Sequence, residues 1–175
     1  FSNPEATAWY QGLLRNVLEK GAAAIKADFG EWVDERATYK NIESAKYRNL
    51  FALLYQKAVW EITQQTKGYG IIWARSSWAG SQRYPVHWGG DAAATYDGMA
   101  GTLRGGLHFG LSGFAFWSHD VPGFYCVEEF LNRKPAEDLY IRWMQFGTFT
   151  SHMRFHGSAP REPWLTCTTP RRLIF

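Results

Sequence analysis

Short apolar runs alternate with longer amphipathic stretches along this chain, and the alternation limits the folds that it can adopt. Apolar residues spaced three and four apart predict a helix that starts at residues 3–5 (Asn-Pro-Glu) and a second helix over residues 47–62. The apolar runs at 22–25 and 71–74 are shorter and predict strands, although composition alone leaves the first open to a helix. Alternating strands and helices are typical of βαβ units on a parallel sheet, so the predicted fold class is α/β.

The second half of the chain continues the alternation. No linker or repeat interrupts it, and the length of 175 residues suits one domain or part of a larger one. The further predicted elements are strands at 85–88, 113–117 and 154–155 and helices at about 92–104 and 137–150.

Composition excludes several classes of protein. Hydrophobic residues make up 46% of the chain, so it is not disordered. A net charge of +3 is too small for a surface that follows a nucleic-acid backbone. Two cysteines, Cys126 and Cys167, are too few for a disulfide scaffold or a four-cysteine zinc site. The longest apolar stretch, 105–117, is too short to span a bilayer. We therefore expect neither a nucleic-acid nor a membrane partner, and the compartment stays open.

Polar or charged side chains follow each predicted strand. In parallel α/β folds the carboxyl ends of the strands converge, so we expect these side chains to face a common site. They are Lys26, Asp28, Glu31, Arg75, Ser76, Trp88, Asp91, His119, Asp120 and His156.

Three aspartates among them have both structural and functional interpretations. Asp91 is equally explained as the N-cap of the helix that follows it. Asp120, which precedes a Val-Pro-Gly sequence, is equally explained as a turn residue. Asp28 is harder to explain by structure alone, because it directly follows an apolar strand and lies beside Lys26 and Glu31 in the sequence.

Motifs for metal, phosphate and serine chemistry are incomplete. His152 and His156 are four apart, but Met153 stands where a zinc protease motif requires glutamate. Residues 104–106 lack the Lys-Ser/Thr of a phosphate loop, and residues 110–114 miss the spacing of a nucleophile elbow by one position. No metal ligand set is therefore predicted.

A pair of carboxylates, Asp28 and Asp91, remains at the ends of different predicted strands. Glycoside cleavage requires two carboxylates, one to attack or stabilise the anomeric carbon and one to protonate the leaving oxygen. The aromatic fraction of 17% supplies indole rings that can stack on sugars as well as fill a core. The tryptophans near these strand ends are Trp73, Trp78, Trp88 and Trp117.

Seven segments carry a more specific signal, in order and with similar spacing between Phe1 and about Trp164. They are residues 25–31 (IKADFGE), 73–76, 84–91 (YPVHWGGD), 103–107, 110–114, 116–120 (FWSHD) and 154–157 (RFHG). Together they resemble glycoside hydrolase family 31, most closely its α-xylosidase and related α-glucosidase branch.

The resemblance implies a partial (β/α)8 barrel, approximately strands four to eight, over residues 1–164. A tail at 165–175 does not resemble the family, and the segment at 132–136 is longer than in its α-xylosidases. In the family, Asp28 corresponds to the catalytic nucleophile and Asp91 to the general acid/base, with carboxyl groups about 5–5.5 Å apart. The residues that correspond to sugar-binding residues of the −1 subsite are Lys26, Arg75, Trp88, Asp120 and His156.

The implied activity is a retaining α-glycosidase that cleaves terminal α-linked glucose or xylose from an oligosaccharide or other α-glycoside, without a cofactor. The sequence does not decide whether the sugar is glucose or xylose. It also leaves open whether the reaction is hydrolysis or transglycosylation. An inactive fragment or carbohydrate-binding remnant is the main alternative, and a sulfosugar-cleaving relative would use the same acid pair. The longer parent protein could also form a homo-oligomer.

Overall fold

The computed structural model describes residues 1–126 and 134–166. The chain divides into two compact units, Phe1–His87 and Trp88–Phe175. Cys167, the first two residues of the segment at 132–136 and most of the predicted tail lie outside the described residues.

Two long helices form one side of the first unit. Helix α1 spans Pro4–Glu19, and the Asn3 side chain accepts a hydrogen bond from the Glu5 N–H, which confirms the predicted helix start. Helix α2 spans Ser44–Lys67 and ends at Gly68, whose φ of 79° is favourable for glycine. A 3₁₀ helix at Ser81–Arg83 completes the helical part of this unit.

Three short strands of this unit are parallel, as the sequence predicts. Strand β1 (Ile25–Ala27) pairs with β2 (Ile72–Ala74), and β2 pairs with β3 (His87–Trp88) through His87. Strand β1 begins three residues later than predicted. The reason is that the Ala22 N–H donates to the Val17 carbonyl, so the chain is still closing the last turn of α1 there.

The core of the first unit lies between β1, β2 and α2. Its buried side chains come from both strands, from the inner face of α2 and from the segment before β3, so the strands are packed against the helix by apolar contact. They are Ala27, Val59, Ile72, Ala74 and Tyr84.

The second unit contains α3 (Tyr96–Leu111), β4 (Trp117–Ser118), β5 (Asp120–Val121), α4 (Glu137–Gly147), β6 (Arg154–Phe155) and α5 (Pro163–Thr166). Strands β5 and β6 are parallel and in direct register. The buried core packs β5 against α4. Its members are Val121, Leu139, Tyr140, Trp143 and Met144.

Helix α3 begins four residues later than the predicted start at residue 92. The Thr95 hydroxyl accepts a hydrogen bond from the Gly98 N–H and is the N-cap. The residues before it pair elsewhere, because the Ala94 N–H donates to the Tyr125 carbonyl and the Ala92 carbonyl accepts from Phe124. Within residues 1–126 and 134–166, no helix has both the length and the apolar composition needed to cross a membrane.

Candidate functional site

Asp28 lies at the carboxyl end of β1 and contacts two cations. Lys26 Nζ is 2.6 Å from Oδ2 of Asp28, and Arg75 Nη1 is 3.2 Å from Oδ1. Arg75 directly follows β2, and its N–H donates to the Ala27 carbonyl. The parallel pairing of the two strands therefore brings together three residues that the sequence predicted for one site.

These contacts keep the Asp28 carboxylate ionised. Partial burial raises the pKa of Asp28, but the hydrogen bonds from Lys26 and the Phe29 N–H and the charges of Lys26 and Arg75 lower it by more. The pKa therefore lies below its ordinary value. Because 35% of the side chain is exposed, this charged group is accessible to a solute.

A second carboxylate, Glu31, holds the other edge of Arg75. Nε and Nη2 of Arg75 lie 2.7 and 3.2 Å from the two carboxylate oxygens of Glu31, which is a bidentate ion pair. The Phe29 ring covers one face of the guanidinium, at 4.0 Å from its central carbon. Glu31 stands outside the set of binding residues that the family resemblance implies, although the sequence placed it at the strand end.

The backbone after Asp28 has an uncommon conformation. Phe29 and Gly30 have φ angles of 59° and 91°, in the left-handed region that costs a non-glycine residue energy. The Tyr55 hydroxyl of α2 donates to the Asp28 carbonyl over 3.3 Å. A Cβ at residue 30 would lie 2.6 Å from Ser76 Oγ and 2.9 Å from the Tyr55 ring, so only glycine fits there.

In the second unit, Asp120 forms a buried ion pair with Arg154. Arg154 Nε lies 2.7 Å from Oδ1 of Asp120, and the guanidinium lies 5.6 Å from the centre of the Trp88 ring. The Asp120 carbonyl also accepts a hydrogen bond from the Gly123 N–H, so its backbone opens a turn, as one interpretation predicted. The side chain nevertheless contacts Arg154, so the same arginine lies beside two predicted sugar-binding residues, Asp120 and Trp88.

His156 and Asp91 occupy loops of the second unit. The His156 N–H donates to the Val121 carbonyl, and its ring lies 5.5 Å from that of Phe124. Asp91 is exposed and precedes the residues that pair with Phe124 and Tyr125. Because Thr95 caps α3, the N-cap interpretation of Asp91 is wrong. Its role as an acid remains a prediction.

Comparison with known proteins identifies the family. The model described as "Glycosyl hydrolases family 31 TIM-barrel domain" matches residues 1–172. The chain belongs to this family. An alpha-xylosidase of Emericella nidulans is 42% identical over 94% of this chain and 21% of its own length. The alpha-xylosidase XylQ of Lactiplantibacillus pentosus is 40% identical over 94% of this chain and 22% of its own length. The chain thus spans about a fifth of the length of these relatives.

A solved structure supports the same fold. The cycloalternan-forming enzyme of Listeria monocytogenes, in complex with a pentasaccharide substrate, superposes with a TM-score of 0.87. The sequences are 24% identical, and the match covers 98% of this chain and 17% of the other. The predicted α/β class and partial TIM barrel are therefore confirmed.

His119 of this family 31 chain has a structural role. The Trp143 indole N–H donates to His119 Nδ1 over 2.8 Å, and the ring stacks on Phe146 at 4.4 Å. The proton of the neutral ring is therefore on Nε2, which faces the Thr150 hydroxyl at 3.4 Å. Burial, with a smaller effect of His152, lowers the pKa of His119 to about 4.

The family 31 chain shows no metal centre among its described residues, since no group of three or more His, Cys, Asp or Glu side chains is placed to hold an ion there. Arg154, like Phe29 and Tyr55, is a contact residue for which the sequence predicts no role. The sequence places Arg154 in a predicted strand and in the segment at 154–157, but the burial of Asp120, which calls for a cation nearby, is visible only in the structure.

Proposed function

We propose that this chain carries the catalytic carboxylates of a retaining α-glycosidase that acts on terminal α-linked xylose or glucose. The observation that carries the proposal is the Asp28 carboxylate, held ionised by Lys26 and Arg75 at a strand end and still accessible. Membership of family 31 supports a glycosidase, and the two relatives named alpha-xylosidase favour xylose.

The proposed reaction has two displacements. Asp28 attacks the anomeric carbon through an oxocarbenium-like transition state, and the bond to the leaving oxygen breaks as a covalent glycosyl-enzyme forms. Asp91 gives its proton to the leaving oxygen. Asp91 then takes a proton from water, which attacks the anomeric carbon and releases Asp28. Both steps invert the anomeric centre, so the product has the configuration of the substrate.

Recognition of the sugar is assigned to charged and aromatic groups. Lys26 and His156 can donate hydrogen bonds to sugar hydroxyl groups. A carboxylate such as that of Asp120 can accept them, although its side chain is 0% exposed in this structure. The family resemblance also assigns Trp88 to this subsite; in the structure only 3% of this residue is exposed, and the Arg154 guanidinium lies over its ring. The ion pair with Arg154 supports this proposal, because it fixes the orientation of the Asp120 carboxylate.

The test is an assay of the 175-residue chain on aryl α-xyloside and aryl α-glucoside. Turnover that disappears in Asp28→Ala and in Asp91→Ala supports the proposal. Asp34→Ala is the matched control, because Asp34 is an acid of the same unit that pairs with Arg36. The anomer that forms first, observed by proton NMR, reports retention directly.

Two outcomes contradict the proposal. Equal turnover in Asp28→Ala and in the unmodified chain would show that Asp28 is not the nucleophile. Saturable xylose or glucose binding without turnover supports the carbohydrate-binding alternative instead. A sulfosugar α-glycoside in the same assay distinguishes the third alternative, and the ratio of kcat/KM for xyloside and glucoside decides the substrate.

A further inference from the structure

Glu31 and Asp28 share one guanidinium group, that of Arg75. Arg75 directs Nε and Nη2 toward Glu31, at 2.7 and 3.2 Å, and its Nη1 lies 3.2 Å from Oδ1 of Asp28. The side of the guanidinium that carries Nε and Nη2 is therefore occupied by the two-point contact with Glu31, and Nη1 contacts Asp28. Only 15% of the Arg75 side chain is exposed, so the group is held in this orientation.

The orientation of Arg75 affects the chemistry of Asp28. A bidentate contact with Asp28 would stabilise its negative charge more strongly than the contact through Nη1 does. A more stabilised carboxylate is a weaker base and a weaker nucleophile, because reactivity follows basicity. The Phe29 ring, 4.0 Å from the guanidinium carbon, occupies one face of Arg75 and leaves its edge for the two acids.

We infer that Glu31 is a positioning residue that holds Arg75 in its contact through Nη1 with Asp28 and offsets part of its positive charge. Asp28 thereby stays ionised without losing its reactivity. The inference rests on the proposed role of Asp28 as the nucleophile.

Besides the Phe29 N–H, which donates to the Asp28 carboxylate over 2.9 Å, four groups contribute to the contact between Asp28 and Arg75 or surround it. Lys26 comes from β1, Arg75 follows β2, and Glu31 belongs to the same loop as Asp28. The Tyr55 hydroxyl of α2 contacts the Asp28 carbonyl and stays protonated, because burial raises its pKa. Removal of the Glu31 charge would thus leave two cations beside one carboxylate.

The experiment is a 13C NMR titration of the Asp28 carboxyl carbon in the 175-residue chain at low salt. In Glu31→Gln, the amide oxygen can still accept the Arg75 Nε–H, while the negative charge is gone. We expect the pKa of Asp28 to fall below its value in the unmodified chain. We expect kcat/KM for the aryl α-xyloside to fall on the order of three- to tenfold.

Two further variants separate charge from shape. Glu35→Gln removes an acid that pairs with Arg48 in the same unit, and it is expected to leave Asp28 unchanged. Glu31→Asp keeps the charge but shortens the side chain, so the pKa of Asp28 should stay nearer to its original value than in Glu31→Gln.

An Asp28 pKa that is unchanged or higher in Glu31→Gln overturns the inference, as does the opposite order of Glu31→Asp and Glu31→Gln. A lower pKa supports it whether or not the chain turns over substrate, because the titration does not require activity. Failure of the proposed function is recognised separately, from turnover that is unaffected by Asp28→Ala.

Discussion

Arg154 Nε lies 2.7 Å from Oδ1 of Asp120, on strands that pair in parallel with these two residues in register. The Asp120 side chain has 0% of its surface exposed, whereas 20% of the Arg154 side chain reaches solvent. A buried carboxylate is costly unless a partner compensates its charge. Arg154 is therefore a cation that stabilises an acid at this position, and its guanidinium also lies over the Trp88 ring.

Substitution of Arg154 by methionine is expected to lower the free energy of unfolding by about 3–5 kcal/mol, because it leaves a buried charge without this cation. Urea unfolding measures the loss. Arg154→Lys should cost less, since it retains the charge. Arg142→Met is the control, because Arg142 is exposed on α4 and a change there should stay within about 0.5 kcal/mol. Equal losses in both methionine variants would contradict the role of the ion pair.

The sequence predicts those parts of the fold in which a local pattern of apolar residues extends over many positions. Helices α1 and α2 run for 16 and 24 residues, and their apolar spacing and the Asn3 cap indicate them without any tertiary information. Strands of two or three residues are too short for a pattern to fix their ends, which is why β1 was predicted to start too early. Helix α3 starts later than predicted because the residues of its predicted first turn pair through their backbone with residues 124–125.

The sequence predicts which residues form the candidate site better than it predicts the contacts between them. Lys26 and Asp28 are two apart, and a strand places such residues on the same face. The register that sets Arg154 against Asp120 joins residues 34 apart, and no local pattern encodes it. Which guanidinium atoms of Arg75 contact Asp28 and which contact Glu31 likewise depends on a loop conformation that only tertiary packing specifies.

Two neighbouring glycines of α3 are expected to respond to alanine in opposite ways. A Cβ at Gly105 meets nothing within 4 Å, whereas a Cβ at Gly106 would lie 2.5 Å from the Trp117 ring. Gly105→Ala should raise the free energy of unfolding by about 0.5–1 kcal/mol through helix propensity. Gly106→Ala should lower it by about 1–3 kcal/mol, because the ring must move. Urea unfolding of the two variants checks the signs, and two changes of the same sign would contradict the packing.

His119 is expected to make the second unit less stable in acid. Its pKa is about 4 in the folded chain and about 6.5 when unfolded, so between these values the unfolded state binds the additional proton. The stabilisation is complete above pH 6.5 and is lost as the pH falls toward 4, by about 3 kcal/mol in total. Urea unfolding across this range measures the loss.

His119→Gln supplies the control for this pH dependence. Glutamine can accept from the Trp143 indole and donate to the Thr150 hydroxyl, but it does not titrate in this range. The variant should therefore lose less stability between pH 6.5 and 4 than the unmodified chain. A residual decrease is expected from His152, whose pKa burial also lowers. If His119→Gln loses as much stability between pH 6.5 and 4 as the unmodified chain does, the pH dependence comes from other groups.

Gly30 is expected to tolerate alanine less well than Gly68, although both have positive φ angles, 91° and 79°. Alanine in this region costs about 1–2 kcal/mol at either position. At Gly30 the new methyl would also approach Ser76 Oγ to 2.6 Å, whereas Gly68 has open space. We expect Gly30→Ala to lower the free energy of unfolding in urea by about 1–3 kcal/mol more than Gly68→Ala. It should also shift the NMR signal of the Asp28 carboxyl carbon, because residue 30 belongs to the same loop. Equal losses, or an unshifted Asp28 signal, would show that the loop accommodates the methyl group and that its close packing does not position Asp28.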